Sequence, residues 1–140
     1  MKSMKTVLFV CVHNAGRSQM AEAFVNWLAA ERQLSIRAES AGTVAGERIN
    51  PIAAEVMAEV GISMEGHRPK PLTQAMADKA ERIITMGCGV DASVCPARIY
   101  ISEDWGLDDP AGQPIETVRR IRDEIRARVE ALLDAEETAV

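Results

Sequence analysis

Apolar positions along the chain switch between solid blocks and a helical period, and the switches mark out the elements. Thr6, Val7, Leu8, Phe9 and Val10 form an unbroken block, which predicts a strand over 5–10 covered on both faces, as a central parallel strand is. Met20, Phe24, Trp27 and Leu28 then recur at helical intervals, with Gln19, Glu22 and Asn26 on the opposite side. A helix starting at Arg17 or Ser18 and running to 31 would bury the first set and expose the second. Residues 36–41 read as a short second strand that Gly42 ends.

Asn50-Pro51 joins a capping residue to a proline suited to the first helical position. It predicts a helix over 51–60 that buries Ala53, Met57 and Val60 and stops at Gly61. Gly66, Pro69 and Pro71 make 63–71 a loop, and Thr73 caps a short helix over 74–79. Residues 82–86 read as a third strand, 87–96 as a loop and 98–102 as a fourth strand. Pro114 opens a last helix to about 135, with Val118, Ile121, Ile125, Val129 and Leu132 as its buried stripe. Glu116–Arg120, Arg120–Glu124 and Glu124–Arg128 sit at ion-pair spacing on a solvated face.

Alternating strands and helices imply an α/β fold, with a four-stranded parallel sheet and helices on both faces. The chain is expected to be a single domain over residues 1–140. Ligands in such sheets bind beyond the carboxyl ends of the strands. Cys11 lies there after the first strand, Met86-Gly87-Cys88 after the third, and Asp108-Asp109 follows the fourth. Three chemically useful segments are thus expected on one rim.

Composition narrows the partners. A net charge of −5 argues against nucleic acid or an anionic membrane surface. No apolar run reaches the roughly 18 residues of a membrane span. Lys2 and Lys5 ahead of the first apolar block imitate a signal peptide, but the block is short and His13 to Ser18 is not a small-residue cleavage site. The expectation is a cytoplasmic protein, in which three cysteines are not a permanent disulfide framework.

The segment Cys11-Val12-His13-Asn14-Ala15-Gly16-Arg17-Ser18 fills the turn between the first strand and its helix. Backbone N–H groups of such a turn, with the unpaired N–H groups and dipole of a helix start, form a cradle for an oxyanion. Arg17 adds a planar fork of donors. The same field favours a thiolate, so Cys11 is expected below a free cysteine's ordinary pKa of about 8.5. Ser18 is placed to donate its hydroxyl to that thiolate, Asn14 to brace the loop or turn left-handed, and His13 to sit at the rim. Proline after Asp109 restricts where that carboxyl points, and a carboxylic acid at the rim can protonate an oxygen leaving a tetrahedral centre. An Asx turn in a surface loop is the plainer role for Asp109, as packing is for the other cysteines. Cys88 and Cys95 share a glycine-containing loop near Cys11. Three thiols allow a relay in which each attacks the sulfur of the one before, whereas a hydrolase would need only Cys11. A metal site built from Cys11, Cys88, Cys95 and His13 lacks a close Cys-x2-Cys pair.

The motifs Cys11 through Glu22, Ser40-Ala41-Gly42, Cys88…Cys95-Pro96 and Trp105 through Gly112 together resemble thioredoxin-coupled arsenate reductases, which share the low-molecular-weight tyrosine phosphatase fold. The resemblance spans nearly the whole chain. It implies that Val12, His13, Asn14, Ala15, Gly16, Arg17 and Ser18 bind arsenate, with phosphate or sulfate competing, and that Cys11 attacks the arsenic while Asp109 protonates the leaving oxygen. Cys88 would then attack the Cys11 adduct, and Cys95 would attack Cys88 to leave a disulfide for thioredoxin. No bound cofactor, no nucleic acid or membrane partner and a monomeric state are expected. Some members bind potassium through groups matching Asn14, Glu22 and Ser40 plus an acid. Lys70 stands at the acidic position, so an ammonium is expected in place of the metal. Tyrosine phosphatases carry aromatics after the Asp-Pro pair, whereas Ala111-Gly112 follow here. Met86-Gly87-Cys88-Gly89 is also similar to relatives that use mycothiol or a glutaredoxin. A low-molecular-weight phosphatase and a non-enzymatic arsenite-binding thiol protein are the competing readings.

Overall fold

The computed structural model describes residues 4–87 and 98–138. Four strands, β1 (Lys5–Cys11), β2 (Ile36–Gly42), β3 (Arg82–Thr85) and β4 (Glu103–Asp104), form one sheet in the order β2-β1-β3-β4, with every neighbouring pair parallel. The helices are α1 (Arg17–Glu31), α2 (Pro51–Glu59), α3 (Gln74–Lys79) and α4 (Ile115–Thr138). Among the described residues no helix is long and apolar enough to cross a membrane.

The two-residue period of β1 explains how one strand serves two cores. Val7, Phe9 and Cys11 enter the larger cluster, with Met20 and Phe24 of α1, Val56 and Met57 of α2, and the stripe of α4. Leu8 and Val10 point the other way, to Ala41, Leu72, Ala77 of α3 and Ile83. All five predicted stripe positions of α4 are buried, from Val118 at 0% exposed to Leu132 at 5%. Asn50 caps α2 by accepting from the N–H groups of Ile52 and Ala53, and Pro51 begins the helix.

Three expectations need correction. The fourth strand is two residues, at Glu103–Asp104, and not at 98–102. Apolar content made the earlier stretch strand-like, but Tyr100 and Ile101 are exposed, and the Ile83 N–H donates to the Ser102 hydroxyl instead of a strand carbonyl. Backbone pairing therefore begins at Ser102, whose N–H donates to the Ile83 carbonyl at 2.7 Å, and the parallel ladder begins at Glu103. The second correction concerns α1: Trp27 is 38% exposed, while Gln19 and Glu22 are buried. The segment after α2 lies over that side of the helix, and Gln19 Nε2 donates to the Arg68 carbonyl. Asn26 does not simply face away either; it accepts from Ala38 N and donates to Ala38 O on β2. Third, the expected pairs along α4 do not form among the described residues. Arg126–Glu130 pairs within the helix, whereas Arg119 and Arg122 reach Glu59 of α2 and Arg120 reaches Asp108.

Candidate active site

The turn from β1 into α1 is shaped by where its carbonyls go. Those of Cys11, Val12, His13 and Ala15 accept from the N–H groups of Thr43, Val44, Gly46 and Asn50, at 2.8–3.0 Å, and Gly16 O accepts from Met20 N. With the carbonyls engaged elsewhere, no backbone N–H of residues 12–16 finds an acceptor among the described residues. Helix α1 begins without a side-chain cap and with no acidic residue in its first turn. Both conditions leave N–H donors for an anion.

Asn14 holds the curve of this loop. It is fully buried and left-handed, with φ +56°, a conformation that asparagine tolerates better than most residues. Its Nδ2 donates to Ser18 Oγ at 2.8 Å, and its Oδ1 accepts from Gln19 Nε2 and Lys70 N, each at 2.9 Å. Gln19 Oε1 lies 3.0 Å from His67 Nδ1; because the amide nitrogen of Gln19 already donates twice, that oxygen accepts and Nδ1 carries the proton. His13 is exposed, its Nδ1 3.1 Å from the Val44 carbonyl.

Arg17 is 6% exposed and fixed at both ends of its fork. Nη1 donates to the carbonyls of Met86 (3.1 Å) and Leu107 (2.8 Å), which aims Nη2 at Cys11 Sγ, 3.5 Å away. The Cys11 thiol is buried and not disulfide-bonded. Asp109 Oδ2 lies 3.9 Å from Arg17 Nη2, its side chain 61% exposed. The carboxylate also accepts from Ala111 N at 2.9 Å, so the Asx turn and the position over the cradle coexist. Buried Trp105, Leu107 and Pro110 anchor the segment that carries it. Gly16 permits the close approach: a Cβ there would sit 2.8 Å from Pro110 Cγ.

These groups line a cavity of about 820 Å³, which Arg48 and Asn50 also line. The arrangement offers one buried thiol, a cation and amide donors for a tetrahedral oxyanion, and a carboxyl at its open side. The structure thus brings together Cys11 through Ser18 and Asp109. Cys88 and Cys95 lie outside the described residues.

Beside the cradle, Glu22 gathers Ser40 and Lys70, which the sequence singled out for a cation, and His67, which it did not. Ser40 Oγ donates to its Oε1 at 3.2 Å, Lys70 Nζ stands 3.6 Å from the same oxygen, and His67 Nδ1 is 3.4 Å from Oε2. Sequence reasoning missed Gln19, the Met86 and Leu107 carbonyls, Arg48 and Asp104. Only Asp104 left a signal, an Asp-x-Gly turn pattern at Asp104-Trp105-Gly106.

Residues 6–139 match the low molecular weight phosphotyrosine protein phosphatase family. A glutaredoxin arsenate reductase from a Synechocystis species is 40% identical over 131 residues, covering 93% of this chain and 97% of that one. A solved arsenate reductase in a phosphate-binding state superposes with a TM-score of 0.80 at 38% identity, covering 94% of this chain and 98% of the other. A thioredoxin-dependent arsenate reductase from Corynebacterium glutamicum superposes with a TM-score of 0.78 at 32% identity, covering 99% of this chain and 65% of that chain.

Proposed function

Because the chain belongs to the low molecular weight phosphotyrosine protein phosphatase family, we propose that its cradle holds arsenate and that the protein reduces it to arsenite. The observation that carries this reading is the placement of Arg17 Nη2 3.5 Å from a buried thiol and 3.9 Å from a rim carboxylate, at a helix start with free donors. Full-length similarity to a named arsenate reductase supplies the substrate.

In this reading the amides of residues 12–18 and Arg17 bind the oxyanion, and the Cys11 thiolate attacks arsenic. Asp109 gives a proton to the departing oxygen. The buried Ser18 hydroxyl, which accepts from Asn14, keeps its own proton to donate toward the sulfur. Cys88 then attacks Cys11 Sγ: a Cys11–Cys88 disulfide forms, and the sulfur–arsenic bond breaks with its electron pair on arsenic, releasing arsenite. Cys95 attacks Cys88, freeing Cys11 as a thiol and leaving a Cys88–Cys95 disulfide. Two electrons from thioredoxin, a cytoplasmic dithiol, reset the enzyme. A thioredoxin-dependent relative favours that donor, and a glutaredoxin-named one makes glutaredoxin or mycothiol the alternative. No potassium ion takes part, because the Lys70 ammonium already meets Glu22 and would repel a second cation there. The protein acts as a monomer.

Cys88→Ser separates this reading from hydrolysis, which the family also performs by description. The variant is expected to lose multiple-turnover arsenate reduction while keeping any cleavage of a phosphomonoester. Sustained arsenate reduction by Cys88→Ser with thioredoxin, its reductase and NADPH would overturn the relay.

A further inference from the structure

Asp104 takes no part in the chemistry above, yet it bonds on both sides of what holds Arg17. Its Oδ1 accepts from Thr85 Oγ1 (2.6 Å) and Gly87 N (2.8 Å), and its Oδ2 accepts from Gly106 N (3.2 Å). Thr85 and Gly87 flank Met86, and Gly106 precedes Leu107. Met86 and Leu107 are the two residues whose carbonyls accept from Arg17 Nη1. The two segments also touch: Gly87 has φ +78°, and a Cβ on it would meet Leu107 N at 2.6 Å. One carboxylate therefore staples the end of β3 to the segment after β4.

We propose that Asp104 is a positioning residue for the oxyanion cradle, fixing the Met86 and Leu107 carbonyls and through them the aim of Arg17 Nη2 at the Cys11 site. The proposal rests on the reading of Cys11 and Arg17 as an oxyanion site. The Thr85 hydroxyl holds the exposed Asp104 carboxyl below its ordinary range; the desolvation it does suffer opposes this, and the Gly87 and Gly106 N–H groups and the Arg128 cation add to the lowering. A carboxyl with a depressed folded value has its staple intact above an unfolded pKa of about 3.9, and loses it as pH falls through the folded value.

The test is the dissociation constant of inorganic phosphate, with KM and kcat for arsenate, for the parent, Asp104→Ala and Asp104→Asn. Asp104→Ala removes both acceptor oxygens and with them all three hydrogen bonds, and is expected to weaken phosphate binding and raise KM about tenfold, with kcat changing less. Asp104→Asn keeps one carbonyl oxygen for Thr85 and Gly87 and turns an NH2 against Gly106 N–H, so it should fall between. It should also lack the acid-side change in phosphate affinity. Arg122→Ala, which loosens α2 from α4 away from the cradle, is the control for instability and should leave phosphate affinity within about twofold. If Asp104→Ala does not fold, Thr85→Val removes a single bond of the staple and should still weaken phosphate binding at least twofold. Parental phosphate affinity in Asp104→Ala, or in Thr85→Val where the alanine variant fails to fold, overturns the proposal. So does an Asp104→Asn variant no better than alanine. If the parent binds phosphate but reduces no arsenate, the proposed function fails while the phosphate series still decides the role of Asp104.

Discussion

Gly16 lies so close to Pro110 that a single added methyl group tests where Asp109 has to sit. An ideal Cβ at Gly16 would be 2.8 Å from Pro110 Cγ, and ordinary contact begins near 3.4 Å. Gly16→Ala must therefore push the Pro110 ring by about 0.6 Å. Pro110 is buried, so the ring cannot swing freely into solvent, and Asp109 is its neighbour. A misplacement of about 1 Å at a reacting group can cost on the order of a hundredfold in rate. A shift of this size is expected to lower kcat for arsenate about tenfold, equivalent to roughly 1.4 kcal/mol in the barrier. Overpacking costs stability as well, on the order of 1–3 kcal/mol. Arg17 keeps its bonds to the Met86 and Leu107 carbonyls and its aim at Cys11, so phosphate should bind within about twofold of the parent. The assay is NADPH consumption coupled to arsenate reduction, measured in the parent, Gly16→Ala, Asp109→Asn and the double variant. If the loss runs through the acid, the double variant is little slower than Asp109→Asn alone. An unchanged kcat in Gly16→Ala, or two losses that multiply, would show that the Pro110 contact does not place Asp109.

Two further outcomes follow from contacts near and far from the thiol. Lys70→Asp replaces the ammonium beside Glu22 with a second carboxylate, so turnover of that variant should rise on adding potassium while the parent's stays flat; equal responses would refute the ammonium's role. Arg122 donates from Nη1 to the Val56 carbonyl (2.9 Å) and to Glu59 (2.8 Å), and is largely buried. Arg122→Ala should lower unfolding free energy by about 2–3 kcal/mol in urea denaturation, and a loss under about 0.5 kcal/mol would show that Arg122 adds little to the α2–α4 contact.

Periodicity made the framework readable where each residue had a single job. The block of β1 and the stripe of α4 face cores that any such pattern implies, and Asn50-Pro51 places a helix start by local chemistry alone. The turn from Cys11 into α1 was legible for the same reason, because a strand end, a tight turn and a helix start are set by neighbouring residues. Failures occurred where a distant segment decides the outcome. Gln19 looks solvent-facing on a helical wheel, but it is buried because residues 67 and 68 meet it from another part of the chain. Ile99, Tyr100 and Ile101 have strand-like side chains, yet pairing depends on where Ser102 intercepts Ile83. The carbonyls that aim Arg17 carry no signature in side-chain identity, so only geometry reveals them. The relay cysteines, clear as a sequence pattern, fall outside the described residues.

The clamp of Asn26 on Ala38 has a consequence for how copies of this chain meet. Strand β2 is an outer strand of the sheet, and its open edge is a ready template for a strand from another molecule. At Ala38 both the donor and the acceptor on that edge are already taken by one side-chain amide, at 2.8 and 3.1 Å. The opposite edge, β4, is only two residues long. Neither border therefore offers an intruding strand a long run of free partners, since Asn26 occupies the edge at Ala38 and the segment at Pro71 pairs with the end of β2 at Gly42.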